Sequence, residues 1–383
     1  METALVRSTT PYERMTGMKK IGDFLCALLF LTVCLAAVFF PTAVTPFVRD
    51  GLSLCGRTIL PSLFPFMVIT QLLTRSGVAE RAGRTLAFLL CPLFGIKKEL
   101  CGAFLTGLAG GFPNGAVSAA YLYQSGKCDK ASAERTVALC NNCSPSFLLS
   151  VAGAYALGSV KGGLILCLSL LCTVFLNSIV LRLCCPLASS PTYASFTNGK
   201  KENKGNILCD SVKSACENML VVCGYVVIFY TLSGALCKVL CVNAGVQTVI
   251  RGFCEVSGAV LSCKSADFPV NFMICAAAVG FSGLSVMCQV ADVCAKCGLS
   301  VRPFLFSRLI GAVAMPLCTA GLLFILPPSA IPVFSLCDPS PIDSTRTLWG
   351  ITIVYAGAFA LVMLCFAALC FVSRIWEAKH GNT

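Results

Sequence analysis

The feature that most constrains this chain is the recurrence of apolar runs about as long as a lipid bilayer is thick. Residues 24–40, 163–183, 212–236, 310–326 and 348–372 carry few charges or none. A helix needs about 20 apolar residues to cross a hydrocarbon core of about 30 Å. Lipid offers no hydrogen bonds, so such runs must satisfy their own backbone and are read as helices. Composition agrees: 57% of the residues are hydrophobic and 12% charged, against about 25% charged in a soluble domain. The expected fold is therefore all-α, a polytopic integral membrane helical bundle with the lipid bilayer as its first partner.

The charges say how the bundle sits. Formal net charge is +12, and the basic residues gather beside apolar segments. One group is Arg7, Arg14, Lys19 and Lys20; a second is Arg75, Arg81, Arg84, Lys97 and Lys98; the others are Lys200, Lys201 and Lys204, then Arg374 and Lys379. That is the positive-inside bias, and it places both termini in the cytoplasm. Aromatic side chains are not interleaved with these charges, so no nucleic acid is expected as a partner. Phe39, Phe40 and Pro41 follow the first run where a signal peptide would carry small residues, so that run reads as a retained anchor.

Cysteine occurs 27 times, mostly inside apolar runs, where it acts as a small hydrophobe rather than a disulfide partner. The C-x-x-C spacings Cys140/Cys143 and Cys294/Cys297 lack a zinc-ribbon or thioredoxin-like setting, so no metal and no cofactor is expected. The single histidine, His380, lies in the C-terminal tail, and there is no P-loop, nucleophile elbow or H-E-x-x-H motif. No catalytic residue is expected and the chain does not read as an enzyme.

Along the chain the expected organisation is a cytoplasmic tail at 1–20, a first membrane half at 21–187, a polar linker at 188–206, a second half at 207–328, a loop at 329–346, and a last transmembrane helix with its tail at 347–383. Within the first half, residues 58–73 carry Pro61 and Pro65 and should kink or begin near Pro61. Residues 85–96 are too short to span and read as a half-helix or interfacial piece. Residues 100–123 are long enough to cross but are interrupted by Gly110, Gly111, Phe112, Pro113, Asn114 and Gly115. Non-helical backbone at membrane depth survives only where protein buries it or where it lines a wet cavity, so broken or re-entrant helices here mark a substrate site. Gly107 and Gly111 also have the spacing of close helix packing. A second interruption, Cys140 to Pro145, brings Asn141 and Asn142 into a region that should be dry.

The second half repeats the order. A span is followed by a short piece at 246–261 and a glycine-interrupted stretch at 272–294, with Gly280 and Phe281 answering Gly111 and Phe112. Charge places the span before the first short piece outside to inside and the span after Lys204 inside to outside, which makes an inverted internal repeat. Among polar residues near apolar sequence, Glu255 reads either as a functional intramembrane carboxylate or as an interfacial partner of Arg251. Glu134 and Arg135 open a helix, Glu217 and Asn218 lie early in a span, Arg308 reads as a snorkelling anchor, and Gln289 as a helix-to-helix hydrogen bond.

Five ordered landmarks carry a resemblance. Leu60 to Phe66 (LPSLFPF), Gly110 to Ala116 (GGFPNGA), Cys140 to Pro145 (CNNCSP), Cys254 to Gly258 (CEVSG) and Gly280 to Val286 (GFSGLSV) resemble the sporulation integral membrane proteins of the YlbJ (SpoVV) family. These are nucleoside-recognition or Gate-domain membrane proteins. The first break here has Phe112 and Asn114 where Tyr and Met are expected, Cys143 stands for Ser, and Met287 for a frequent His. The resemblance implies a role in endospore formation in a Gram-positive bacterium, in the mother-cell-derived outer forespore membrane, with dipicolinic acid as the associated small anionic substrate. Half-helix N-termini and asparagine amides are compatible with carboxylates.

The expected function is a transporter or channel for a small anionic metabolite. A non-transporting assembly factor for other sporulation membrane proteins, or a nucleoside or metal-ion gate, is the alternative, and a homo-oligomer fits any of these. The candidate substrate-binding residues are Gly111, Phe112, Asn114, Asn141, Asn142, Ser144, Glu255, Ser257, Ser282, Ser285 and Gln289.

Overall fold

A computed structural model describes residues 41–184 and 206–325, apart from 264, 265 and 267. The runs at 24–40 and 348–372, the terminal tails with His380, the loop at 329–346 and nearly all of the linker lie outside the described residues. Those described are helical. In chain order come α1 (Pro41–Leu54), a π-helical turn (Cys55–Ile59), α2 (Leu60–Arg75), α3 (Val78–Phe94), α4 (Cys101–Gly110), α5 (Asn114–Gln124) and α6 (Lys130–Cys140). A second π-helical segment (Phe147–Ala156) precedes α7 (Val160–Cys184). The second series is α8 (Ile207–Val239), α9 (Ala244–Cys254), α10 (Val256–Ser262), α11 (Val270–Phe281), α12 (Gly283–Lys296) and α13 (Arg302–Ile325).

Among the described residues, five stretches are long and apolar enough to cross a bilayer: Val44–Arg75, Val160–Cys184, Ile207–Val239, Val270–Lys296 and Arg302–Ile325. The first is unbroken at Pro61, where the sequence predicts a kink or a start. The ring of Pro61 would clash with the carbonyl four residues back, at Arg57. Widening the turn over Cys55–Ile59, with the Leu60 N–H donating to the Cys55 carbonyl, lets the helix pass the proline.

α8 lies antiparallel to this first span, with Gly234 against Phe47, Gly51 against Val227 and Tyr230, and the Cys55 thiol against the Cys223 carbonyl. The two spans that open the two series therefore run in opposite directions, as the charge argument requires.

Residues 100–123 do not cross. Glycine at 107 lets α4 approach α5 so closely that a Cβ there would lie 2.7 Å from Gly115 Cα and 2.9 Å from the Cys140 carbonyl. Positions eight residues apart in one continuous helix would be roughly 12 Å apart, so the chain folds back at Gly111 into a re-entrant hairpin. Both readings of the glycines hold at once: Gly107 packs and Gly111 breaks. Likewise Gly252 faces Ala259, with 2.8 Å from a Gly252 Cβ to that of Ala259, so α9 and α10 form a second hairpin. The piece expected at residues 85–96 is instead the C-terminal part of α3, which begins at Val78 and packs against α4 through Gly83 and Gly102.

The hairpins enter from opposite ends. The base of the first carries Lys127 paired with Glu80 and Asp129 paired with Lys97, on the Arg75 side. The second follows Val239, at the Phe47 end of the α1 and α8 pair. Apart from α3, which has no counterpart in the second series, each series thus runs span, hairpin, broken helix, span, with α6 and the second π segment as one broken helix and α11 and α12 as the other. This corrects the matching of Gly111 with Gly280. The fold-back at Gly111 answers the one at Glu255, while the interruption at 141–145 answers Ser282. A Gly-Phe pair does not say whether the chain reverses; packing of the flanking helices does.

Candidate functional site

All four interruptions meet at one place. Gly111, at φ +72° and ψ −167°, closes α4 in a conformation that only glycine adopts readily. Its backbone lies on the other break: a Cβ there would be 2.8 Å from the Ser144 N. On the opposite side Gly283, at φ +80°, brings the start of α12 to the backbone of Glu255 and Val256, within 3.1 Å of a Gly283 Cβ. Between these contacts is a narrow cavity of about 40 Å³, room for roughly two or three waters. It is lined by Phe112, Cys143, Ser144, Glu255, Ser257 and Gln289 from the interrupted elements. The long helices close it with Ile59, Ser62 and Leu63 on one side and Val222 and Val226 on the other.

Glu255 is 2% exposed. Its carboxylate caps α10, accepting from the Gly258 N–H at 2.9 Å and the Ser257 hydroxyl at 3.2 Å. It forms no ion pair among the described residues, so Arg251 does not neutralise it and its interfacial reading falls away. An ionisable side chain buried at membrane depth is costly, and it is the kind of group from which a functional hypothesis starts.

The asparagines behave differently from expectation. Asn141 accepts from the Ala116 N–H at 2.9 Å and donates to the Val137 carbonyl at 2.8 Å, tying the start of α5 to the end of α6. Asn142 donates to the Leu139 carbonyl at 2.7 Å and accepts from Arg308 at 3.0 Å. Neither amide faces the cavity unpaired. Asn114 donates to the Gly110 carbonyl at 3.0 Å and leaves its buried Oδ1 without a partner. Ser144 accepts from the Phe147 N–H at 3.2 Å. The half-helix N-termini expected to hold carboxylates are thus already capped by Asn141, Ser144 and Glu255; that of α12 has no side-chain cap.

Ser285 accepts from Gln289 on the same helix at 3.2 Å, so Gln289 does not bridge two helices. Ser282, at φ +74°, breaks α11 from α12 without a glycine at that position, and its hydroxyl donates to the Val279 carbonyl at 3.1 Å. The structure brings Phe112, Ser144, Glu255, Ser257 and Gln289 to the cavity and places Gly111, Asn114, Asn141, Asn142, Ser282 and Ser285 in the shell that shapes it.

Sequence reasoning missed Arg308. Read as a membrane-edge anchor, it is 1% exposed, because the first turns of α13 pack against α6 and α11 instead of lipid. Its guanidinium donates to Asn142 Oδ1 at 3.0 Å, Ser282 Oγ at 3.4 Å, the Ala138 carbonyl at 3.4 Å and Ser307 Oγ at 3.3 Å. It also lies over the Phe304 ring, 5.1 Å from the centroid. One side chain thus joins both broken helices. The clue in the sequence is Ser307 beside Arg308 at the start of an apolar run, a pair that also suits an interface. The C-x-x-C cysteines 140, 143, 294 and 297 are free thiols, and among the described residues no group of three or more metal-ligating side chains gathers.

Residues 57–159 match the family model Gate, described as nucleoside recognition. That segment holds most of the first π turn, the first hairpin and the first broken helix. The chain is also 24% identical over 342 residues to the sporulation integral membrane protein YlbJ of Bacillus subtilis (strain 168), covering 78% of this chain and 82% of the relative. No solved structure matches it. Both comparisons agree with the resemblance carried by the five landmarks: the chain is a polytopic helical membrane protein, similar over residues 57–159 to the Gate family model and over most of its length to the sporulation integral membrane protein YlbJ.

Proposed function

We propose that this protein is a secondary transporter for a small anionic metabolite. The observation that carries the reading is the convergence, between two oppositely running series of helices, of four helix interruptions on one buried cavity. Irregular backbone at membrane depth is tolerated where it lines a path, and oppositely running halves are the architecture of alternating access. The narrow cavity is consistent with a closed gate, since an aromatic ring needs more room than a few waters. Opening requires the hairpin tips at Gly111 and Glu255 to part.

The resemblance implies dipicolinate as the substrate and the outer forespore membrane as the site. Arg308, behind the cavity, supplies positive potential, whereas Glu255 opposes an anion while ionised. We therefore assign Glu255 the role of exchanging a proton with the substrate's passage. A second reading is favoured by the same carboxylate: Glu255, Gln289, Ser144 and Ser257 also suit a neutral solute rich in hydroxyl and amine donors, such as a nucleoside.

Uptake into proteoliposomes holding only this protein separates these readings. Labelled dipicolinate accumulating under an imposed pH gradient, and nucleoside left outside, is the expected result. Nucleoside uptake alone would select the second reading, and uptake of neither by folded protein would leave a role in assembling other membrane proteins. In the transporter, Glu255→Gln should retain substrate binding and lose pH-driven accumulation.

A further inference from the structure

A second, larger cavity of about 720 Å³ adjoins the first. Its walls come from α1, the first π turn, the start of α2, the second π segment, α8 and α10, and include Asp50, Arg57, Ser150, Tyr155 and Tyr230. Ser62 lines both cavities, so it stands between them.

Arg57 is the unusual wall residue. It lies thirteen residues after Val44 and eighteen before Arg75 in a span of 32 residues, roughly 20 Å along the helix from its start. A charge at that depth is rare and faces an aqueous cavity or a partner. Here Arg57 sits in the π turn that Pro61 imposes, is exposed, and has no hydrogen bond or ion pair among the described residues. Its five donors are therefore available to the cavity. Asp50, in the same wall, forms no ion pair with it. Two tyrosines complete a site with a planar cation, aromatic faces and hydroxyl donors, the equipment for a flat carboxylate held through two parallel hydrogen bonds.

We infer that this cavity is an entry site at which Arg57 captures the carboxylate of the solute before it passes Ser62 into the central cavity. The inference deepens the anion-transport reading and rests on it for the second step only. Arg57 selects and concentrates the anion; Asp50 weakens its binding and rejects closer approach of dianions that do not engage Arg57.

Two measurements on the full-length protein test it: equilibrium binding of labelled dipicolinate in lipid nanodiscs, and initial uptake rates in proteoliposomes. Arg57→Gln should raise the dissociation constant and KM about ten- to a hundredfold, the effect of losing hydrogen bonds to a charged group. The maximal uptake rate should stay within about twofold. Arg57→Lys, which keeps charge without the planar fork, should fall between, and Asp50→Asn should tighten binding. Dissociation constants unchanged in Arg57→Gln and Asp50→Asn would overturn the entry site while leaving transport intact. If Arg57→Gln does not fold, unchanged binding in Arg57→Lys and Asp50→Asn overturns it equally. Binding that depends on Arg57 without any uptake by the wild-type protein would uphold the site and remove the transporter.

Discussion

At the scale of single residues, the polar groups divide into those that hold the breaks and those that face the cavity. Asn141 belongs to the first class. Asn141→Ala removes two buried hydrogen bonds and leaves the Ala116 N–H without its acceptor, which should lower stability by about 2–4 kcal/mol. Thermal unfolding in detergent should show the drop, while substrate affinity per folded molecule stays within twofold; a selective loss of affinity would return Asn141 to the binding site. Arg308 calls for a different comparison. Removing one member of a buried ion pair is destabilising because it strands the other charge, but Arg308 forms no ion pair among the described residues and its removal strands none. Arg308→Met should therefore change the unfolding temperature little, because desolvation relieved offsets the acceptors orphaned at Asn142 and Ser282. Uptake should fall at least about tenfold if the guanidinium sets the potential behind the cavity, and unaltered uptake would make it a clasp between the broken helices only.

At the scale of elements, the first hairpin is held by close backbone contact within it and by ion pairs at its base. Gly107→Val would place a branched side chain against backbone atoms of Gly115 and Cys140 that cannot move independently. Overpacking of this sort destabilises by about 1–3 kcal/mol, and limited proteolysis between α5 and α6 should report it as faster cleavage. At the base, the hydrogen bond from Lys127 holds the Glu80 carboxyl below its ordinary value of 4.5, with Arg84 adding to the effect. A carboxyl lowered on folding contributes stability that is full above its unfolded value and is lost as pH falls through the folded one. Between neutral pH and pH 3 the wild-type unfolding temperature should therefore fall further than that of Glu80→Gln; equal falls would mean that the base does not depend on this charge.

At the scale of the whole molecule, the two series must present their hairpins to opposite sides of the membrane. Reporter fusions at Gly126, between α5 and α6, and at Val242, between α8 and α9, should report opposite compartments, with Gly126 in the cytoplasm. The same side for both would contradict the antiparallel course of α1 and α8.

Much of this architecture is legible in the chain itself. Apolar length and the requirement that lipid-embedded backbone bond internally dictate helices, the basic residues around Arg75 to Lys98 orient the first half, and Gly111, Pro113, Pro145 and Glu255 mark where helices stop, since each of these signals acts over a few residues. What the chain by itself could not decide is which broken segments reverse, which amides stay free and which charges are buried. Residues 100–123 fold back because Gly107 meets Gly115, Asn141 is occupied because Ala116 comes to it across 25 residues, and Arg308 leaves the lipid because α13 packs between two breaks 26 and 166 residues away. Those outcomes depend on contacts between distant segments, which tertiary packing alone brings into reach.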